Sequence, residues 1–175
     1  MQLRAAEQSD IVALNALIEL SGRVLSIGYY SPEQADAITR HVFGVDTQLI
    51  EDRTYFLIEH EGQVVACGGW SKRRTLFGGD QAKAGPDPLL DPATDSARIR
   101  AFFVHPSMAR RGLGRRLMAA CTAASRQAGF RSLELAATLP GEPLYLASGF
   151  RVAWRFDLAL PGGIQVPLVR MSRPI

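Results

Sequence analysis

Between Ala97 and Phe150 the chain reads as a strand, helix, strand, helix unit whose turns are as specific as its apolar runs. A strand from Ile99 to Val104 ends in His105-Pro106 and passes into Ala109-Arg110-Arg111-Gly112-Leu113-Gly114-Arg115-Arg116, which opens a helix ending at Gly129. A further strand, Ser132 to Ala136, precedes Pro143, Tyr145 and Gly149-Phe150. The first N–H groups of a helix have no partner within it, and the aligned peptide dipoles leave positive charge there, so this end suits a phosphate. Gly112 and Gly114 carry no Cβ to hold an anion off the main chain, and the surrounding arginines match phosphate oxygens. The run is neither a P-loop, lacking a Lys-Ser/Thr pair, nor a dinucleotide fingerprint, lacking a third glycine. Alone, it also describes an ordinary solvated helix end.

The flanking pieces decide. A strand ending Val-x-Pro, a Gly-x-Gly helix start, an amphipathic helix, another strand and Tyr-x-x-x-Gly-Phe together resemble the GCN5-related N-acetyltransferase superfamily. The resemblance implies an α/β fold (an α+β mixed sheet) of about seven mostly antiparallel strands, with parallel fourth and fifth strands splayed apart and about four flanking helices. It implies acetyl-CoA as cosubstrate and no metal. The diphosphate falls to Arg110, Arg111, Gly112, Leu113, Gly114 and Arg115, and the pantetheine arm to main-chain groups of Phe102, Phe103 and Val104. Thr138 stands about where relatives often have an Asn, and Ala109 replaces their first Arg or Gln, leaving its backbone N–H but no polar side chain.

With 175 residues, 47% of them hydrophobic and 21% charged, the chain has what a globular domain needs to bury a core. Neither repeats nor a linker divide it, so residues 1–175 are expected to form a single domain. The net charge of +3 gives no excess that demands nucleic acid, since phosphates already account for the arginines at 110–116. Cys67 and Cys121 show no metal-ligand spacing and read as reduced core residues. Met1-Gln2-Leu3-Arg4 begins a strand rather than a signal peptide, and no apolar run is long enough to span a membrane; a cytoplasmic protein is expected.

Local signals order the remaining elements. Ser9 is read as the cap of a helix through Leu20, with Ile11, Leu14, Leu17 and Ile18 on one face. Ser31-Pro32-Glu33-Gln34 is a capping box opening a second helix to about His41. Thr54 to His60 and Gln63 to Trp70 form a hairpin about Glu61-Gly62. Leu117, Cys121, Ala124 and Ala128 give the core stripe of the phosphate helix. Val152 to Leu158 and Ile164 to Met171 close the chain as a hairpin, with Pro167 weakening its last strand. The segment from Ser71 to Ser96, rich in Gly, Pro and Asp, stands as either a lid whose carboxylates draw in a cationic amine or a mobile solvated insertion.

The resemblance gives the reaction as direct attack of a primary amine, on a small molecule or peptide, upon the acetyl-CoA thioester. Tyr145 matches the tyrosine that protonates the departing sulfur; a phenol, with a pKa of about 10, keeps its proton at neutral pH, although a packed ring suits the position too. The strand position where some relatives carry a glutamate base falls on Arg98, which cannot give up its proton at neutral pH. Arg98 and Arg100 read either as solvated strand-end residues or as a grip on a substrate carboxylate. Glu134 is left as a candidate base acting through a water, or as an outward-facing strand residue. His105 shapes the turn before its proline.

The acceptor side is expected around Ser26, Tyr29, Tyr30 and Ser31, with Tyr29, Tyr30 and Trp70 forming an aromatic wall for an amine or simply packing. No pattern selects among peptide, polyamine, aminoglycoside and amino acid. The resemblance also implies a homodimer through the C-terminal strands. The alternative is a non-catalytic acyl-CoA-binding module, supported by Ala109 and the missing strand carboxylate. A nucleic-acid binder using the arginine cluster would instead show steep salt dependence.

Overall fold

The computed structural model describes residues 1–175. Its strands are β1 (Gln2–Ala5), β2 (Tyr55–His60), β3 (Gln63–Ser71), β4 (Ala97–Val104), β5 (Ser132–Thr138), β6 (Arg151–Leu160) and β7 (Ile164–Pro174). They form one seven-stranded sheet in the order β1-β2-β3-β4-β5-β7-β6, antiparallel except between β4 and β5. The helices are α1 (Ile11–Leu25), α2 (Pro32–His41), α3 (Thr47–Glu51), α4 (Leu113–Gln127) and α5 (Glu142–Ala147).

Alternation along the strands divides the core between two faces. Tyr55, Leu57 and Cys67 meet Leu14, Leu17 and Ile18 of α1 and Leu49 and Ile50 of α3. Ile58, Val65 and Ala66 meet Leu113 and Leu117 of α4 on the other face. Farther along α4, Met118 and Cys121 share a cluster with Leu133, Leu135 and Phe150. α2 lies over the end of the sheet, where Ile38 and Val42 pack with Val166 and Leu168 of β7.

The central pair of strands creates the opening. β4 pairs with β5 only at Ala97↔Leu133 and Arg98↔Glu134, and beyond Arg98 the two strands part. On the other side of β4 the register passes from Cys67↔Phe103 to Gly69↔Arg100, so Ala101 and Phe102 together face Gly68 in a β-bulge. Ala101 has a left-handed φ of 53°, a conformation that costs about 1–2 kcal/mol for a residue with a Cβ. Its displaced carbonyl accepts from the Tyr55 hydroxyl at 3.4 Å and the Cys67 thiol at 3.8 Å, so a buried acceptor stays satisfied. A Cβ on Gly68 would lie 2.6 Å from Cδ2 of Phe102, whose ring needs that space.

Several elements differ from their sequence-based outlines. α1 runs to Leu25 rather than Leu20 and begins after a 3₁₀ turn, Gln8–Asp10, where Glu7 and Asp10 form the capping box and Ser9 does not cap. α3 is a helix that composition did not announce: Asp46 Oδ1 caps it by accepting from the Gln48 N–H. Ala128 is exposed, and Thr122 and Ser125 take buried positions on α4 by donating to the Met118 and Cys121 carbonyls. β7 runs unbroken through Pro167 to Pro174. The Ser31 capping box and the β2–β3 hairpin are as the sequence predicts.

The segment 71–96 is neither an acidic lid nor a loose insertion. Arg73 bridges to Leu89, Asp80–Ala82 forms a 3₁₀ turn, and the carboxylates hold the segment itself. Asp80 accepts from Thr47 N–H, Asp87 from Thr75 N–H, and Asp91 and Asp95 close a local turn.

Candidate active site

The parting of β4 and β5 opens a cleft of about 660 Å³ that runs from the start of α4 to the end of α1. At one end Gly112 is the N-cap of α4 with φ 83°, and no side chain caps the helix. The amides of the first turn therefore stay open. Nothing lies within 4 Å of where a Cβ on Gly112 would sit, so the main chain there is open to an approaching anion and suits a diphosphate. Gly114 also has a packing task that the sequence did not show: a Cβ there would lie 2.8 Å from Cδ2 of Leu144, so its absence lets α4 pack on α5. Arg110, Gly112, Leu113, Gly114 and Arg115 line the cleft, whereas Arg111 is exposed beside it.

Phe102, Phe103 and Val104 form the half-buried floor where β4 has lost its neighbour, and Thr138 at the end of β5 faces them across the gap. The Val104 N–H makes a long 3.3 Å bond to Ser21 Oγ of α1, a residue the sequence reading passed over. Tyr145 of α5 lines the same cleft, its ring edge-on to Phe102 at 6.2 Å and to Phe150 at 5.9 Å. Burial, aided by the neighbouring Cys121, pushes its phenol pKa above the ordinary value. The Tyr145 phenol thus keeps its proton at neutral pH.

The candidate base does not survive. Glu134 lies off the cleft wall, and its two carboxylate oxygens are taken by Arg98 and Arg170. With both oxygens engaged and the side chain off the wall, Glu134 is not placed to meet an amine in the cleft. Arg98 is accordingly a strut rather than a substrate grip, also donating to the Ser96 carbonyl. Arg100, read as solvated or substrate-binding, is 3% exposed and donates to Asp46, Thr75 O and Gly78 O.

Two members of the proposed aromatic wall are structural. Trp70 packs edge-on to Phe130 at 6.0 Å within the core and does not reach the cleft. Tyr30 donates to Pro167 O at 2.7 Å and accepts from Leu139 N–H at 3.0 Å, which ties the α1–α2 turn to β7; burial pushes its phenol up to about 12. Ser31 caps α2. Tyr29, 51% exposed, and Ser26 do line the cleft. Around them stand Leu25, Val42, Phe43, Leu76 and Phe77. Only the tertiary fold joins these last residues, which come from α1, the turn after α2 and the segment after β3.

A family model described as the acetyltransferase (GNAT) family matches residues 17–150. The chain belongs to the GNAT acetyltransferase family. Solved structures of similar fold cover nearly all of this GNAT acetyltransferase. A GCN5-related N-acetyltransferase from Rhodopseudomonas palustris is 17% identical, with a TM-score of 0.73 over 99% of this chain and 95% of its own. A ribosomal-protein-alanine N-acetyltransferase from Brucella melitensis is 16% identical, with a TM-score of 0.66 and complete coverage of both chains, 100% each. PaiA N-acetyltransferase from Thermoplasma acidophilum, solved in complex with coenzyme A, is 11% identical, with a TM-score of 0.66 over 99% of this chain and 98% of its own. No curated protein matches this GNAT acetyltransferase by sequence. Its side chains offer no cluster of three or more His, Cys, Asp or Glu residues arranged for a metal ion, and no helix is long and apolar enough to cross a membrane.

Proposed function

We propose that residues 1–175 act as one N-acetyltransferase domain that transfers the acetyl group of acetyl-CoA to a primary amine by direct attack. The observation that carries this reading is the uncapped start of α4 in the same cleft as the Tyr145 side chain. The open amides of Gly112, Leu113, Gly114 and Arg115 would hold the diphosphate, with Arg110, Arg111 and Arg115 adding charge from the rim. The main chain of Phe102, Phe103 and Val104 would hold the pantetheine arm, with Thr138 on the facing wall. Acetyl-CoA, when bound, supplies an activated acetyl group.

The residues of this chain then divide the work. Main-chain groups of β4 beside the bulge are fixed before reaction and would meet the thioester oxygen with little reorganisation, the Val104 N–H by exchanging its long bond to Ser21 Oγ. Tyr145 holds its proton because burial raises its pKa, and gives it to the leaving sulfur. No Asp, Glu or His lines the cleft, so the amine loses its proton to solvent rather than to a side chain. Pairing of two copies, expected through the C-terminal strands, is assigned to the outer edge of β6, where Val152 and Trp154 are exposed.

Free-thiol release from acetyl-CoA across a panel of amines, comparing the wild type with Tyr145→Phe, tests the reading. Turnover that drops in the variant while acetyl-CoA affinity persists supports it. Calorimetric binding of acetyl-CoA without turnover of any amine selects the non-catalytic acyl-CoA-binding module instead.

A further inference from the structure

The half of the cleft remote from α4 is mostly apolar, its polar side chains being the neutral hydroxyls of Ser21, Ser26 and Tyr29, and it carries no free charge. Its wall is made by Leu25 and Tyr29 from the end of α1, Val42 and Phe43 after α2, and Leu76 and Phe77 from the segment following β3. Among all the residues lining the cleft there is no Asp, Glu, His or Lys.

The acidic side chains nearest in sequence are committed elsewhere. Asp46 is paired with Arg100 and with Lys83, Asp87 accepts from Thr75 N–H beside Lys83, and Asp80 accepts from Thr47 N–H. A second ammonium group on an acceptor would be desolvated there with no counter-charge. Arg100 is the one cation on this part of the wall, and its side chain is 1% exposed. It disfavours a further cation nearby, yet offers no accessible fork for a substrate carboxylate.

We propose that the acceptor is a primary amine borne on an apolar aryl or alkyl group with no second charge of either sign. This rests on the acetyltransferase reading and narrows it to one class. The apolar wall serves the chemistry as well as the fit: desolvation lowers an ammonium pKa, which favours the neutral, nucleophilic amine in a site without a base.

Three probes separate the classes: 2-phenylethylamine, L-phenylalanine, which adds a carboxylate to the same frame, and 1,4-diaminobutane, which adds a second cation. Acetyl-CoA binding is measured first by calorimetry, then acetyl transfer to each probe and calorimetric binding of each probe to the protein saturated with coenzyme A. The expected result is a kcat/KM for 2-phenylethylamine at least about 10-fold above either of the others, with the same order in affinity. Leu76→Asp places a carboxylate on the wall and shifts the ratio toward 1,4-diaminobutane by about 10-fold or more. Should that variant fail to fold, Phe77→Ala lowers kcat/KM for 2-phenylethylamine about 10-fold and narrows its margin over 1,4-diaminobutane.

Equal or better transfer to L-phenylalanine or 1,4-diaminobutane overturns the inference while leaving acetyl transfer intact. Acetyl-CoA binding with none of the three probes bound or acetylated overturns it as well. Absence of acetyl-CoA binding removes the reading beneath it.

Discussion

The Arg100 guanidinium and the Asp46 carboxylate meet at 2.9 Å with 1% of either side chain exposed. The pair joins β4, one residue before its bulge, to the cap of α3, and Arg100 reaches on to the carbonyls of Thr75 and Gly78 beside the cleft. Burial pushes the Arg100 pKa down and the Asp46 charge opposes that shift, so the guanidinium depends on its partner. Asp46→Ala strands a buried cation and is expected to cost about 3–5 kcal/mol in urea unfolding. The double replacement Asp46→Leu, Arg100→Met recovers part of that loss, because neither charge is then left unpaired. A single-variant loss below about 1 kcal/mol would mean that the pair behaves as a solvated one.

Tyr145→Phe removes the proton donor and keeps the ring against Phe102 and Phe150. A fall in kcat of about 100-fold or more with unchanged acetyl-CoA affinity is expected, measured by thiol release and calorimetry. The sign of the pH effect follows from burial. A raised phenol pKa keeps the acid protonated to higher pH, so the alkaline limb of the wild-type kcat profile lies above the ordinary tyrosine range. A limb at or below about 10 would assign the acid elsewhere.

Gly112→Val forces a β-branched residue into φ 83° and projects its side chain into the open cradle. The strain alone costs about 1–2 kcal/mol, and the bulk keeps a phosphate from the α4 amides. Acetyl-CoA binding is expected to vanish in calorimetry while circular dichroism remains that of the folded protein. Retained affinity would put the diphosphate elsewhere.

Glu134→Gln separates a structural carboxylate from a catalytic one. Losing the charge between Arg98 and Arg170 lowers thermal stability by about 1–3 kcal/mol. The pH profile of kcat/KM keeps its shape, because Glu134 is not on the cleft wall. Disappearance of the acid limb in this variant would restore Glu134 as the base.

With no ionisable base in the wall, kcat/KM rises with pH until the acceptor itself is neutral. Two accepted amines of different pKa should give profiles displaced by the difference between them. Profiles that coincide would reveal an enzyme group that takes the proton.

Much of the fold was legible because its signals are local. The Ser31 capping box, the Glu61-Gly62 turn and the glycine at the start of α4 each constrain dihedral angles within a few residues. Ser9 was misread and α3 passed over where equally local options competed, since Glu7 with Asp10 and then Asp46 took the capping roles. The aromatic wall was misread for another reason. Trp70 and Tyr30 are amphipathic side chains that suit a cleft or a core alike, and the neighbours that decide come from Phe130 and from Pro167 and Leu139.

The order of letters by itself determined the glycine-led start of α4, the tyrosine downstream of it and the alternation that builds a two-faced sheet, because hydrogen-bond caps and side-chain periodicity act over one or two turns of chain. The tertiary structure alone decided which charges are silent. Glu134 is bound to arginines on β4 and β7, and Asp46 is joined to Arg100 across 54 positions of sequence. A charged residue in a sequence has no fixed solvation; its proton affinity and its availability to substrate depend on the groups that folding brings within a few ångströms of it.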